Sequence, residues 1–165
     1  MTLVLTALFD RLVDLCAALA ASLILFMMVS VSIDIVGRYF FNSPVGWVLD
    51  YAEYSLVYIP FLAMAWLVRK KGGHVAIDLL PSALSAKPQA ILGTLTALIA
   101  GATCATAATW AGLATWDHFT RGTMTIGIYP IPKYSLLAVI GFGFALTTVE
   151  FARTAAAAWR RRNDG

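Results

Sequence analysis

Residues 90–116 run for 27 positions without a charged side chain, and residues 15–33 run for 19. An α-helix rises 1.5 Å per residue, so either run is long enough to cross the roughly 30 Å hydrocarbon core of a bilayer. Two shorter uncharged runs, 54–68 and 134–149, have charged residues at their ends. Four such stretches in 165 residues leave little chain for anything else. Composition agrees. Hydrophobic residues make up 60% of the chain and charged residues 13%, against about half and a quarter in soluble domains. A water-soluble fold of this size has too much surface for so little charge, so the surplus apolar surface must face lipid.

The expected fold is therefore an all-α membrane protein of one domain with four transmembrane helices, near residues 12–36, 47–68, 90–116 and 134–152. A basic tail at 153–165 follows. The first run is longer than the 7–15 apolar residues of a signal peptide, so it reads as a retained helix. Asn42-Ser43-Pro44 supplies turn chemistry between the first two spans, and Pro60 is expected to kink the second. Residues 74–84 mix Val75, Ile77, Leu79, Leu80 and Leu84 with Asp78 and Pro81. They are too few to span and are expected to form a short interfacial segment between helices 2 and 3. An even number of spans puts both termini on one side. With that side cytoplasmic, nine Lys and Arg fall inside and three outside, the bias that orients membrane proteins.

Little catalytic chemistry is available to such a chain. The two histidines, His74 and His118, sit in connections, so no haem or metal site is expected within the bundle. Cys16 and Cys104 stand alone in apolar runs and read as packing residues. No phosphate-binding loop and no Ser/His/acid constellation is present. No catalytic residue, cofactor or metal is expected. A net charge of +3 gives no reason to expect nucleic acid.

The polar residues near membrane depth are the candidates for partner contacts, because ionisable groups there are costly unless paired or functional. Asp34 and Arg38 are four apart, acid before base, and suit a pair on one helix face. Asp50 and Glu53 share a face of the second helix, with Glu53 about 9 Å in from Trp47. There a structural ion pair, with Arg38 or with a partner protein, is the favoured reading over a proton or cation-coupling site. In the third span Gly93, Ala97, Gly101, Ala105 and Thr109 recur every four residues. Such small-residue stripes let helices approach closely in lipid, so this stripe is expected to meet another helix, within the chain or across a subunit seam. Trp47, Trp66, Trp116 and Trp159 fall at or near predicted helix ends, as interfacial anchors do, whereas Trp110 lies deeper and is expected to pack. Asp117 and Arg121 supply charge to the outer connection 117–133, a candidate docking loop.

The stretch 37–80, GRYFFNSPVGWVLDYAEYSLVYIPFLAMAWLVRKKGGHVAIDLL, resembles the small integral membrane subunit of tripartite ATP-independent periplasmic (TRAP) transporters. In that family an Arg-Tyr and an Asn-x-Pro turn follow the first helix. A Trp and a Glu open the second, and a basic stretch leads to His-x-x-x-Asp. The matching positions are Arg38, Tyr39, Asn42, Pro44, Trp47, Glu53, His74 and Asp78. The run IGIYPIPKYSLLAVIGFGFAL also resembles the family's approach to helix 4, while the alanine-rich 155–158 has no counterpart. The resemblance implies a sodium-coupled secondary transporter of the bacterial inner membrane, taking up organic anions. A periplasmic substrate-binding protein delivers the solute and a large membrane transport subunit carries it. The small subunit scaffolds the large one and helps dock the binding protein. Two other classes stay open on the residues alone: a small four-helix proton-coupled multidrug exporter, or a membrane enzyme subunit. The exporters are shorter and carry their essential glutamate in helix 1, whereas Glu53 lies in helix 2.

Overall fold

The structure is a computed structural model and describes residues 2–70 and 86–163. The expected interfacial segment 74–84 lies outside the described residues. Four helices follow in order: α1 (Thr2–Phe40), α2 (Gly46–Arg69), α3 (Ala86–Arg121) and α4 (Lys133–Asn163). All four contain a stretch long and apolar enough to cross a membrane, and the protein is an all-α, four-helix membrane protein.

Every helix except α2 extends well past its expected bounds. α1 begins at Thr2 rather than near Leu12, and α4 continues through the basic tail to Asn163. Local chemistry explains the extensions, because Leu, Ala, Arg and Glu all favour helix and charged ends can protrude into the headgroups. Asp117 and Arg121 are likewise helical. They form an i,i+4 ion pair at 2.9 Å on the last turn of α3, so the outer connection begins at Gly122 and not at Asp117. Gly122 has φ +61°. Its N–H donates to the Phe119 carbonyl and the Thr123 N–H to the His118 carbonyl, the paired bonds of a glycine-terminated helix.

Packing order differs from chain order. α1 packs on α2, α2 on α4, and α4 on α3, so the helices form an open layer, α1–α2–α4–α3, and not a closed bundle. α3 and α4 run antiparallel, with Gly101 of α3 meeting Phe151 of α4 while Ala111 meets Gly141, whereas α2 and α4 run parallel, with Tyr58 against Ser135 and Phe61 against Gly143. α4 carries glycines on its two flanks. A Cβ on Gly141 would lie 3.3 Å from the Ala111 Cβ, and one on Gly143 would lie 2.2 Å from the Phe61 carbonyl oxygen of α2. Those two positions let the backbone of α4 lie close to both neighbours, where contact and not water exclusion drives association in lipid. Near the end that carries both termini, Val13, Cys16, Ala65 and Leu146 form a small buried cluster with Phe9, Leu62 and Trp66 against it. The rest of the layer is thin, and large apolar side chains such as Leu49, Leu98, Leu113 and Ile99 point outward.

Candidate functional site

Charges fall at two levels. On α1, Asp14 and Asp34 are separated by twenty residues, or about 30 Å of helix, the thickness of a hydrocarbon core. The Asp14 level is the end with both termini; the Asp34 level is the loop end.

At the loop end, Asp34 accepts two hydrogen bonds. Arg38 donates to its Oδ2 at 2.7 Å, and the Val45 N–H donates to Oδ1 at 2.8 Å. Val45 is the N-terminal cap position of α2, so the carboxylate satisfies a backbone donor at the positive end of that helix. Chain reversal at 41–45 needs two permissive residues. Asn42 sits at φ +49°, a conformation that asparagine tolerates. A Cβ on Gly37 would come within 2.9 Å of the Ser43 carbonyl oxygen, and the Gly37 carbonyl accepts from the N–H groups of Phe41 and Ser43.

The second loop, 122–132, is fastened to α2. Within it Met124 bridges to Pro132, and the Thr125 N–H donates to the Ile131 carbonyl at 2.9 Å. Asp50 Oδ2 accepts the Tyr129 N–H at 2.7 Å, and the loop wraps so closely that a Cβ on Gly127 would lie 3.0 Å from the same oxygen. The Tyr54 hydroxyl is 2.8 Å from Thr125 Oγ1 and donates to the Tyr129 carbonyl at 3.2 Å. Thr125 Oγ1 in turn accepts the Ile131 N–H. His118 Nδ1 lies 2.6 Å from Thr123 Oγ1. This rigid loop presents Ile126, 97% exposed, and Ile128 at its tip.

Asp50 and Glu53 thus part company. Asp50 is used within the chain, whereas Glu53 is exposed and makes no hydrogen bond or ion pair with any of the described residues. Arg38 is engaged by Asp34 and does not reach Glu53.

At the other end a five-membered network joins three helices. Arg69 of α2 bonds the Asp14 carboxylate and, at 3.0 Å, the Asp10 carbonyl of α1. Arg153 of α4 reaches Asp10 Oδ1 at 2.6 Å and Glu150 Oε1 at 3.3 Å. Glu150 is 3% exposed. Since Asp10 lies near the N-terminus and Arg153 near the C-terminus, the contact fixes both at one end of the layer. Arg153 also stands over the Phe9 ring at 5.5 Å and Lys70 over Trp66 at 4.8 Å.

The small-residue stripe of α3 coincides with the α4 seam only in part. Ala97 is buried and Gly101 contacts Phe151, but Gly93 has nothing within 4 Å of a would-be Cβ and Ala105 is half-buried. The buried positions are Ala97, Cys104 and Ala111, seven apart, with Gly101 and Ala108 between them. That is the 3.5-residue period of antiparallel helices packed side by side, from which a strict four-residue stripe drifts away. Trp110 does not pack in the interior as its depth suggested. It is 69% exposed, on the side of α3 away from that seam.

The cavities are mainly apolar, although Arg11 or Asp14 lines some of them. A groove of about 550 Å³ along α1 is lined by Met28, Val29, Ile33, Val36, Gly37, Phe41, Val45 and one polar side chain, Ser32, whose hydroxyl donates to the Met28 carbonyl. Among the described residues no buried side-chain polar atom lacks a partner, and no three His, Cys, Asp or Glu side chains converge. The loop anchor, the five-membered network and the two glycines of α4 escaped the sequence reading. The two glycines had a signal in the run Gly141-Phe142-Gly143, which puts small residues on opposite sides of one helix.

A comparison with known proteins adds identity to this geometry. No curated protein matches the chain. A family model described as "Tripartite ATP-independent periplasmic transporters, DctQ component" matches residues 27–161, a region that takes in both loops, the α2 carboxylates and the α3–α4 seam. The chain belongs to the DctQ family, the small membrane subunit of TRAP transporters.

Proposed function

We propose that the chain is the small permease subunit of a sodium-coupled transporter that takes up organic anions handed over by a periplasmic binding protein. In this reading the large membrane subunit carries the solute and the sodium. The present chain scaffolds it in the bacterial inner membrane and helps the binding protein to dock. Family membership carries the reading. The geometry supports a supporting role. At depth the buried polar side chains are occupied, as in the bond from the Thr147 hydroxyl to the Gly143 carbonyl at 2.7 Å. The open layer leaves both broad faces free for a partner.

Orientation follows from charge. The end with Arg11, Arg69, Lys70, Arg153 and Arg160 is cytoplasmic, because cationic residues are retained inside. The loops 41–45 and 122–132 then face the periplasm, where a binding protein approaches. Co-expression with the large subunit tests the reading: a tag on this chain should retain the large subunit through detergent purification. A chain that purifies free of it, from cells that make both, would contradict the proposal.

A further inference from the structure

The exposed stripe of α2 comprises Gly46, Leu49, Glu53, Leu56 and Pro60. Leu49 is 75% and Leu56 60% exposed, so this face is apolar except at Glu53. That carboxylate lies one turn, about 4.5 Å, deeper than Asp50, inside the apolar span Gly46–Arg69. Pro60 belongs to the same face. It has no N–H, so the Leu56 carbonyl loses the donor that helix geometry would give it. Two acceptors therefore sit about one turn apart on a surface where the described residues offer no donor. A carboxylate and a bare carbonyl facing acyl chains would each be costly.

On the reading of the chain as a small permease subunit, we infer that this stripe is the seat of the large subunit, and that the facing helix presents an arginine to Glu53. The chemistry selects the residue. Guanidinium carries five N–H donors in a planar fork, enough to pair with the Glu53 carboxylate and reach the Leu56 carbonyl. A lysine supplies the charge and three N–H donors, but all on one nitrogen, so it spans less of the gap between the two acceptors than the guanidinium fork. Lipid cannot meet the two acceptors at this depth. A second copy of this chain would set Glu53 near Glu53 about a two-fold axis and repel.

Photocrosslinking in the intact complex tests the face. p-Benzoylphenylalanine replaces Leu49 or Leu56, and in controls Leu98 or Leu113 on the outward side of α3. We expect adducts with the large subunit from positions 49 and 56 and none from 98 or 113. Glu53→Gln should lower the large subunit retained by about tenfold or more, because it leaves the facing cation unpaired. The helicity and elution of this chain alone should be unchanged. Adducts from 98 or 113 in place of 49 and 56, a dimer adduct of this chain, or full retention by Glu53→Gln would each overturn the inference with the functional reading intact. A wild-type chain that retains no large subunit would overturn both.

Discussion

The contact of α4 with α2 at Gly143 gives a prediction that follows from distance alone. A methyl group placed on Gly143 would stand 2.2 Å from the Phe61 carbonyl oxygen, 2.8 Å from its carbon and 2.9 Å from the Phe61 Cβ. Ordinary contacts to a Cβ lie at 3.4–4 Å, so α2 and α4 would have to part by about 1 Å. Most of the clash is with backbone, which cannot rotate aside as a side-chain tip does. Nor is α2 free to shift, since Arg69 holds one end and Asp50 and Tyr54 the other. Overpacking of this kind costs about 1–3 kcal/mol. Replacing a helical glycine with alanine returns up to about 1 kcal/mol. Gly143→Ala should therefore destabilise, by up to about 2 kcal/mol net. The assay is unfolding of the purified chain in mixed micelles with rising dodecyl sulfate, followed by helicity. Gly112→Ala is the control, because a Cβ there meets nothing within 4 Å, and it should be neutral or slightly stabilising. A Gly143→Ala protein that unfolds at or above the wild-type midpoint would refute the close approach of the two helices.

The network of Asp10, Arg153 and Glu150 predicts a coupling of about 1 kcal/mol between Arg153→Met and Asp10→Asn in a double-mutant cycle, discounted for partial exposure; strict additivity would show that the ion pair does not tie α1 to α4. Tyr54→Phe removes one hydroxyl from the loop anchor, so amide exchange in residues 123–133 should quicken roughly fivefold, the equivalent of one hydrogen bond. Exchange at the wild-type rate would mean that the loop is held by other contacts. For orientation, single cysteines at Asn42 and Arg121 should react with an impermeant thiol reagent in intact cells, and those at Lys71 and Arg161 only after permeabilisation. The native Cys16 and Cys104 are buried, which keeps the background low. Labelling at Lys71 without labelling at Asn42 would reverse the topology.

Four spans were legible because uncharged length is a strong signal in a chain with so few charges. Their ends were not. Nothing in Thr2–Asp14 or Asp117–Arg121 forbids helix, and where a protruding helix stops depends on caps such as Gly122. Asp50 and Glu53 look equivalent in sequence, three residues apart on one helix. What separates them is a loop 79 positions downstream, whose Tyr129 N–H reaches Asp50 and leaves Glu53 outside. The Asp34–Arg38 pairing is local and could be foreseen from its spacing, whereas the bond from Val45 to Asp34 needed the turn geometry. The stripe on α3 meets α4 only at Ala97 and Gly101, since helices packed side by side repeat every 3.5 residues and a four-residue stripe drifts off the seam. Arg69 and Arg153 entered the sequence reading only as topogenic charge. Their partners Asp10 and Asp14 are distant in the chain, so the network could appear only once the helices were side by side.

Uptake into proteoliposomes measures the central claim most directly, that this chain is a necessary but non-transporting subunit. Vesicles with the large subunit, this chain, a sodium gradient and binding protein loaded with its radiolabelled solute should accumulate label. Omitting this chain should abolish accumulation, and vesicles with this chain alone should take up none. Sodium-driven uptake by the large subunit without this chain, or any accumulation by this chain on its own, would contradict the account.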